Sequence, residues 1–234
     1  MNRWIGTVLS GLLPGVCALC GGPSDGGAVC EGCLRDLTRV GWACRQCGAP
    51  VSGGRLCGRC VQEAPPVDRT VAALAYVGPA RQLVHALKFQ AQLPIARSLG
   101  EILAAEVQSQ GGVAVEFLVP VPLHLHRLRE RGFNQAREVA AVLCERLGVA
   151  LAGPHTCRRR CATTPQSRLT GTRARRRNVA GVFAASPGAF SGRRVALVDD
   201  VMTTGSTVYE LARAVRAAGA EWVEAWVCCR TGDA

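Results

Sequence analysis

The sequence predicts an α/β protein in which a mainly parallel sheet is flanked by helices and preceded by a small cysteine-rich module. Three observations lead to this fold class. Four C-x-x-C pairs lie before residue 61. From residue 71 onward, apolar runs of strand length alternate with helical patterns, an arrangement typical of parallel sheets. One of these runs, 195–198, is followed by two aspartates and a loop of small hydroxylic residues.

The cysteine-rich module consists of two copies of one pattern. In each copy nine residues separate two C-x-x-C pairs, and the second copy begins 27 residues after the first. Two C-x-x-C turns present four thiolates to one ion, which is typical of a structural zinc site, whereas a redox motif needs only one pair. We therefore predict two structural zincs; pairing of the turns within each copy is favoured, and pairing across the copies remains open. The predicted ligands are Cys17, Cys20, Cys30, Cys33, Cys44, Cys47, Cys57 and Cys60.

The chain length allows one sizeable α/β domain and one small module, since it has 234 residues. The proline-containing stretch QEAPPVDRT favours a division into a double zinc ribbon over 1–64, a linker over 65–70 and an α/β domain over 71–234. No apolar run is long enough to span a bilayer. Metal-ligand spacing rather than a disulfide pattern favours a reducing compartment, so we predict a cytoplasmic protein.

Residue patterns place each element of the α/β domain. Short apolar runs predict strands, and 3.6-residue apolar repeats opened by proline or closed by glycine predict helices. In a parallel sheet of this kind, ligands bind beyond the carboxyl ends of the strands. The predicted strands cover 71–78, 117–122, 178–183, 195–198 and 222–229, and the predicted helices cover 80–89, 94–107, 132–148 and a segment that ends at Ala218.

Residues 195–207, VALVDDVMTTGST, combine a strand, an acid pair and a phosphate-binding loop. Asp199 and Asp200 are costly to bury unless they bind something at the edge of the sheet. The loop Thr203–Thr207 offers hydroxyls and backbone N–H groups at the positive end of the next helix, where a phosphate can bind. A ribose 5-phosphate has hydroxyls for the aspartates and a phosphate for the loop. An ordinary helix cap is the alternative, but a cap needs only one Asp or Ser.

Positive charge is concentrated in one segment. The net charge is +11, and residues 120–180 contain 13 arginines and three glutamates, so this segment carries ten of the eleven net charges. No acidic residue occurs between Arg146 and Val198. A polyanion is the partner that this distribution favours. Because Phe133 and Phe183 are the only candidates for base stacking there, salt-sensitive binding to a nucleic-acid backbone is favoured over sequence readout.

The 195–207 motif resembles the phosphoribosyl pyrophosphate (PRPP) motif of type I phosphoribosyltransferases. Over a longer stretch, the order of C-x-x-C pairs, ALKF, VPVPLH, RERGFNQA, RRNVAGVF and VDDVMTTGST resembles the ComF family from about Cys17 to Arg230. Members of that family join zinc ribbons to a phosphoribosyltransferase-like domain and are associated with DNA uptake in competent bacteria. The resemblance therefore implies a type I phosphoribosyltransferase-like fold, PRPP and Mg²⁺ as ligands, and a role in natural transformation.

The resemblance also implies roles for individual residues. Asp199 and Asp200 would be the catalytic pair, which binds the ribose hydroxyls and helps to orient Mg²⁺. The segment Arg158–Arg177 would close over the site. The implied PRPP phosphate ligands are Thr203, Thr204, Gly205, Ser206 and Thr207, and the implied pyrophosphate ligands are Leu123, His124, Arg127 and Arg131.

Three functional hypotheses follow from these features. The first is a ComF-type protein that binds PRPP and has proteins of the competence machinery as further partners. In this hypothesis single-stranded DNA binds to Arg158, Arg159, Arg160, Arg175, Arg176 and Arg177. The second is an active phosphoribosyltransferase, which would transfer ribose 5-phosphate to an unidentified base or amine and release pyrophosphate. The third is a regulatory module that senses PRPP without consuming it.

Overall fold

The computed structural model describes residues 15–53, 55–112, 114–160 and 181–232. After a cysteine-rich segment with little regular structure, strands and helices alternate along the chain. The strands are β1 (Gly15–Val16), β2 (Pro23–Ser24), β3 (Arg69–Ala75), β4 (Phe117–Pro120), β5 (Ala150–Leu151), β6 (Cys157–Arg159), β7 (Phe183–Ala185), β8 (Arg194–Met202) and β9 (Trp222–Arg230). The helices are α1 (Glu31–Arg35), α2 (Gly58–Gln62), α3 (Gly78–Gln90), α4 (Pro94–Ser109), α5 (Leu125–Arg131), α6 (Gln135–Leu147) and α7 (Ser206–Ala217).

Five strands form one fully parallel sheet in the order β3-β9-β8-β4-β5. Alternate side chains of the central strand β8 pack against helices on opposite faces. Ala196 and Val198 join a core that includes α3, α4 and α6, whereas Val195 and Leu197 join a core that includes α7. All four side chains are fully buried, as expected for a strand covered on both faces. The predicted fold class, a mainly parallel sheet flanked by helices with a small N-terminal cysteine module, is confirmed.

The predicted helices are present, and their ends differ from the prediction by a few residues. Helix α6 begins at Gln135 rather than at 132, because Asn134 caps it: its side chain accepts a hydrogen bond from the Ala136 N–H at 3.0 Å. Gly132 ends the preceding helix α5 with a φ of 83°. Helix α5 therefore ends just before the stretch predicted as helical, and α6 is the helix within it.

Other elements also differ from the prediction. Strand β8 continues to Met202, so the acid pair lies within the strand and not after it. Helix α5 forms where no element was expected, because it has no buried side chain and so no apolar repeat to reveal it. The first half of the predicted strand over 178–183 lies outside the described residues, and of the second half only Phe183 belongs to a strand. Strand β7 covers Phe183–Ala185 and pairs antiparallel with β6, a hairpin that the arginine-rich sequence does not indicate.

The cysteine-rich module packs on the edge strand β3. Arg39 forms an antiparallel bridge with Leu74, and the Val40 N–H donates to the Ala73 oxygen at 3.2 Å. The first copy of the cysteine pattern contributes Cys17 to the main core. The module is therefore docked on the sheet. Over the described part of the chain, no helix is long and apolar enough to cross a membrane.

Candidate functional site

Two groups of four cysteines lie in the N-terminal module, one in each copy of the repeat. In each group all four sulfur atoms lie within 4.8 Å of one another. The Cys20 and Cys30 sulfurs are 3.8 Å apart, and the Cys47 and Cys57 sulfurs are 3.6 Å apart. Tetrahedral zinc with bonds of about 2.3 Å places its sulfurs about 3.8 Å apart, so each group fits one structural zinc. The first cluster is Cys17, Cys20, Cys30 and Cys33, and the second cluster is Cys44, Cys47, Cys57 and Cys60.

Backbone hydrogen bonds, burial and neighbouring sulfur atoms shift the pKa values of the cysteines in the second cluster. Burial alone would raise the pKa of Cys44, but backbone N–H groups, including those of Cys47 and Cys57, lower it to about 7. Burial and the neighbouring Cys44 sulfur raise the pKa of Cys47 to about 11. A second thiolate is thus disfavoured beside the first. Four thiolates can coexist only with a cation among them, which is the condition that zinc meets.

A cavity of about 300 Å³ opens at the carboxyl end of the sheet, beside the ends of β4 and β8. This is the place where ligands bind in open parallel sheets. The phosphate loop, Thr203–Thr207, forms part of its wall, and α3, α5 and the start of α6 contribute further side chains. The polar and charged residues that line it are Tyr76, Lys88, Arg127, Arg131, Asn134, Gln135, Arg159, Asp199, Asp200, Thr203, Thr204, Ser206 and Thr207.

Two aspartates and one lysine form the charged centre of this cavity. Lys88 Nζ lies 2.6 Å from Asp200 Oδ2, and Asp199 Oδ1 accepts a hydrogen bond from the Asp200 N–H at 2.9 Å. Burial would lower the pKa of Lys88, but the two carboxylates raise it. Burial and the Asp200 charge raise the pKa of Asp199 well above its ordinary value. Lys88 is thus the one positive charge in this group of three, beside two carboxyl groups. A ligand hydroxyl that donates a hydrogen bond, or a second cation, would therefore be favoured next to the carboxyl groups.

The phosphate loop turns into helix α7 at Gly205. This residue has a φ of 78°, a left-handed conformation that glycine adopts without strain. Thr204 Oγ1 lies 2.7 Å from Ser206 Oγ and accepts a hydrogen bond from the Ser206 N–H at 3.4 Å. All five loop residues line the cavity. Because α7 begins here, the positive end of its dipole also lies at the cavity.

Three arginines form a positive wall of the cavity. Arg127 and Arg131 come from α5, and Arg159 comes from β6. Burial lowers the pKa of Arg131, and burial together with the Arg127 charge lowers the pKa of Arg159. A bound anion would relieve this repulsion. Of the other predicted pyrophosphate ligands, Leu123 lines the cavity, whereas His124 caps α5 and is not among the residues described as lining it.

The six arginines predicted to bind nucleic acid fall into three groups. Arg159 lines the cavity, and its guanidinium carbon lies 5.5 Å from the centre of the Phe183 ring. Arg158 and Arg160 flank it in sequence and are exposed. The prediction for Arg175, Arg176 and Arg177 falls outside the described residues, as does most of the predicted closing loop.

Sequence reasoning missed several residues that line the cavity, and the charged one among them is Lys88. It lies in helix α3, where a lysine is normally predicted to lie at the surface, although its side chain is only 23% exposed. It is also the only lysine of the chain, which is the one signal that could have drawn attention to it.

A second cleft, of about 400 Å³, lies between the second cluster and β3. Trp42, Arg45 and Arg69 line it, and Trp42 is 80% exposed. Arg69 is held in place because its Nη2 donates to the Gln110 backbone oxygen at 2.7 Å. An exposed indole beside two guanidinium groups suits a nucleobase and its phosphate. The sequence does not indicate this candidate, because Trp42 lies in the cysteine module, away from the arginine-rich segment.

The described fold joins two cysteine clusters of zinc-ribbon type to a parallel α/β domain of the phosphoribosyltransferase-like class. The family described as "Double zinc ribbon domain" matches residues 8–61. DNA utilization protein YhgH of Salmonella typhi is 38% identical over 227 residues, which cover 94% of this chain and 98% of that protein. Competence protein F of Haemophilus influenzae is 32% identical over 208 residues, which cover 86% of this chain and 90% of that protein. The chain therefore belongs to the ComF family.

Two solved structures show weaker similarity. Glutamine PRPP amidotransferase from B. subtilis is 20% identical, with a TM-score of 0.39, over 57% of this chain and 26% of that one. A structure described as the allosteric regulatory enzyme of purine biosynthesis is also 20% identical, with a TM-score of 0.38, over 57% of this chain and 25% of that one. This chain thus spans about a quarter of each.

Proposed function

We propose that this protein binds PRPP together with Mg²⁺ in the cavity, and that it binds single-stranded DNA on an arginine-rich surface during DNA uptake. The observation that carries the first part is one cavity that combines an acid pair, a phosphate loop and three arginines. PRPP has a group for each of them: two ribose hydroxyls, a 5-phosphate and a pyrophosphate.

Each wall of the cavity has its own part in PRPP binding. Asp199 and Asp200 accept hydrogen bonds from the ribose hydroxyls, and Lys88, whose Nζ lies 2.6 Å from Asp200 Oδ2, holds the Asp200 side chain in place. The N–H groups and hydroxyls of the phosphate loop bind the 5-phosphate. When bound, Mg²⁺ supplies positive charge at the pyrophosphate, held mostly through ligand oxygens and water. The pyrophosphate ligands from the protein are Arg127, Arg131 and Arg159.

Two arginines of helix α5 give a matched test of the pyrophosphate wall. Arg131 lines the cavity, whereas Arg129 is exposed and is not among the lining residues described. We expect Arg131→Met to raise the Kd for Mg-PRPP about tenfold or more, which corresponds to one charge-assisted hydrogen bond. Arg129→Met should bind as the wild type does. Equal effects of the two substitutions in a calorimetric titration would contradict the proposed wall.

The second part of the proposal, DNA binding, is supported by charge and by the relatives. The net charge of +11 and the acid-free stretch from Arg146 to Val198 suit a polyanion. The relatives carry the names DNA utilization protein and Competence protein F. Arg158 and Arg160 are free to meet a DNA backbone at the surface, and Trp42 offers a base a stacking platform. We therefore place the protein in the cytoplasmic handling of incoming DNA, with competence-machinery proteins as partners.

The salt dependence of DNA binding distinguishes the charge contribution of the arginines from the stacking contribution of Trp42. Fluorescence anisotropy of a labelled oligonucleotide measures affinity over a range of salt concentrations. Arg158→Gln/Arg160→Gln should reduce the salt slope by about 1.4, because each phosphate contact on a single strand contributes about 0.7. Trp42→Ala should weaken binding about fivefold or more without changing the slope, because it removes stacking rather than charge.

A control variant tests whether DNA binding depends on where the arginines lie or only on the number of positive charges. Arg97→Gln/Arg213→Gln also removes two exposed arginines, whose side chains are 54% and 59% exposed. This variant should bind DNA nearly as the wild type does. If the wild-type protein binds DNA weakly and with an affinity that does not depend on salt, the proposed DNA binding is wrong.

An active phosphoribosyltransferase is the second candidate function, favoured by the pairing of Lys88 with Asp200 in the cavity. It would transfer ribose 5-phosphate to a base or amine and release pyrophosphate. The test is pyrophosphate release from Mg-PRPP with a panel of bases and amines. If no acceptor supports release although PRPP binds, PRPP acts as a signal and not as a substrate.

A further inference from the structure

One buried arginine joins the second cluster directly to the phosphate loop. Arg230, at the end of β9, is 1% exposed. Its Nε donates to the Cys47 backbone oxygen at 2.9 Å, and its Nη1 donates to the Thr203 backbone oxygen at 2.5 Å. Cys47 belongs to the second cluster, and Thr203 is the first residue of the phosphate loop. A single planar guanidinium group therefore fixes the position of the loop relative to the metal centre.

Tyr209 makes a second contact between the same two parts of the molecule. It lies in the first turn of α7 and packs against the second cluster, including Cys47 and Cys60. Its ring also lies against the phosphate loop, since a Cβ at Gly205 would come within 2.4 Å of Tyr209 Cζ. The start of α7 and the loop glycine thus take their positions partly from the folded second cluster.

Strand β3 holds the cysteine turn of the second cluster against the sheet. Thr70 Oγ1 donates to the Gln46 oxygen at 2.5 Å, and the Thr70 N–H donates to the Arg45 oxygen at 2.8 Å. Gly48 packs so closely that a Cβ there would lie 2.9 Å from Thr70 Cγ2. These hydrogen bonds and this close packing fix the position of the cysteine turn on β3. Loss of the metal would release this turn and, with it, the Cys47 oxygen that Arg230 binds.

The first cluster has the same ligand chemistry and a different environment. Cys17, together with Val29 and Leu37, packs into the main core beside α3 and α4. Within residues 15–53, 55–112, 114–160 and 181–232, no hydrogen bond joins the first cluster to the phosphate loop. Among the described residues, the two clusters thus share one ligand chemistry, and the second is the one that hydrogen bonds of Arg230 join to the loop.

We propose that the second metal centre controls the affinity of the phosphate loop for PRPP, with Arg230 as the positioning residue between them. This inference rests on the proposed binding of PRPP. With zinc bound, the second cluster would hold the Cys47 backbone oxygen in place. Because Arg230 binds both this oxygen and the Thr203 backbone oxygen, it would then hold Thr203 in a fixed position as well. Coupling between two binding sites is reciprocal, so PRPP on the loop must in turn raise the affinity of the second cluster for zinc.

The test follows zinc loss cysteine by cysteine in the zinc-loaded, full-length protein. A chelator selective for zinc over magnesium is added with and without saturating Mg-PRPP. Thiols that become free are alkylated at successive times and located by peptide mass spectrometry. When zinc exchanges with the chelator faster than the thiols are alkylated, the alkylation rate reports the equilibrium fraction of metal-free cluster. Under this condition we expect PRPP to slow alkylation of the second cluster about tenfold, the order of a typical coupling between sites. Alkylation of the first cluster, the internal control, should be unchanged.

The variant Arg230→Lys tests the arginine itself. Lysine keeps the positive charge but lacks the planar fork that reaches two carbonyl oxygens at once. We expect two zincs per chain, as in the wild type, with PRPP no longer protecting the second cluster and with a Kd for Mg-PRPP about tenfold higher. The matched control is Arg213→Lys, on the exposed face of α7, which should behave as the wild type does.

The outcomes separate this inference from the proposed function. If calorimetry shows normal PRPP binding but both clusters are protected equally, or neither is protected, the coupling is wrong and PRPP binding stands. If Arg230→Lys retains wild-type protection, Arg230 is not the connection. If zinc-loaded protein does not bind PRPP, the proposed function fails and the coupling fails with it. Should Arg230→Lys not fold, the wild-type measurement still decides.

Discussion

Replacing Lys88 with methionine tests whether the cavity is built around a buried charge pair. Lys88 Nζ lies 2.6 Å from Asp200 Oδ2, with side chains that are 23% and 6% exposed. Methionine keeps much of the volume but leaves Asp199 and Asp200 without their cation. Removing one partner of a buried ion pair costs about 3–5 kcal/mol. Because Lys88 is partly exposed, we expect the free energy of unfolding to fall by about 3 kcal/mol at pH 7, the low end of that range.

The directions of the pKa shifts determine how this loss varies with pH. The folded-state pKa of Asp199 is raised, so its contribution to stability is full below its unfolded value of 3.8 and is lost as the pH rises through the folded value. Removing Lys88 takes away a charge that lowers this pKa, so the variant is penalised at neutral pH and approaches the wild type as the pH falls. In the wild type, the raised pKa of Lys88 means that its contribution is full below 10.5 and is lost at higher pH.

Urea unfolding of the zinc-loaded protein at several pH values measures this effect. The matched control is Arg97→Met, which removes a surface pair with Glu101 and Glu145 and should cost less than about 1 kcal/mol. The double variant Lys88→Met/Asp200→Asn should recover much of the loss, because one uncompensated carboxylate is gone. A loss below about 1 kcal/mol for Lys88→Met, or one that does not shrink as the pH falls, would refute the reasoning.

Gly205→Ala should weaken Mg-PRPP binding and lower the free energy of unfolding by more than about 1 kcal/mol, because φ is 78° and the new Cβ would lie 2.4 Å from the Tyr209 ring. Calorimetry and urea unfolding measure the two effects, and unchanged binding would contradict the placement of the loop. Cys47→Ser should leave one zinc per chain and weaken PRPP binding, whereas Cys20→Ser should leave one zinc and retain PRPP binding. Elemental analysis gives the zinc content, and equal losses of PRPP binding in these two variants would contradict the separate roles of the clusters.

The features that could be predicted from the sequence are those whose chemistry lies within a few neighbouring residues. The regular spacing of the cysteines predicted two ligand sets, and the structure groups the sulfurs within each copy. The stretch VALVDDVMTTGST places a buried strand, an acid pair and a phosphate loop in consecutive positions, so their joint location at the sheet edge follows from strand direction alone.

The features that could not be predicted depend on contacts across the fold. Arg230 and Cys47 are 183 residues apart in the sequence, and neither position indicates the other. Lys88 lies on a helix whose apolar repeat explains its neighbours, while its own role appears only when α3 packs beside β8. Helix α5 has no buried side chain, so the periodicity that revealed the other helices was absent.

Calorimetric titration of Mg-PRPP into the zinc-loaded protein tests the central claim most directly, with Asp199→Asn/Asp200→Asn as the control. We predict saturable binding to the wild type and none to the variant, with the zinc content unchanged in both. Absence of binding to the wild type, or equal binding to the variant, would contradict the assignment of the acid pair and the phosphate loop as a PRPP site.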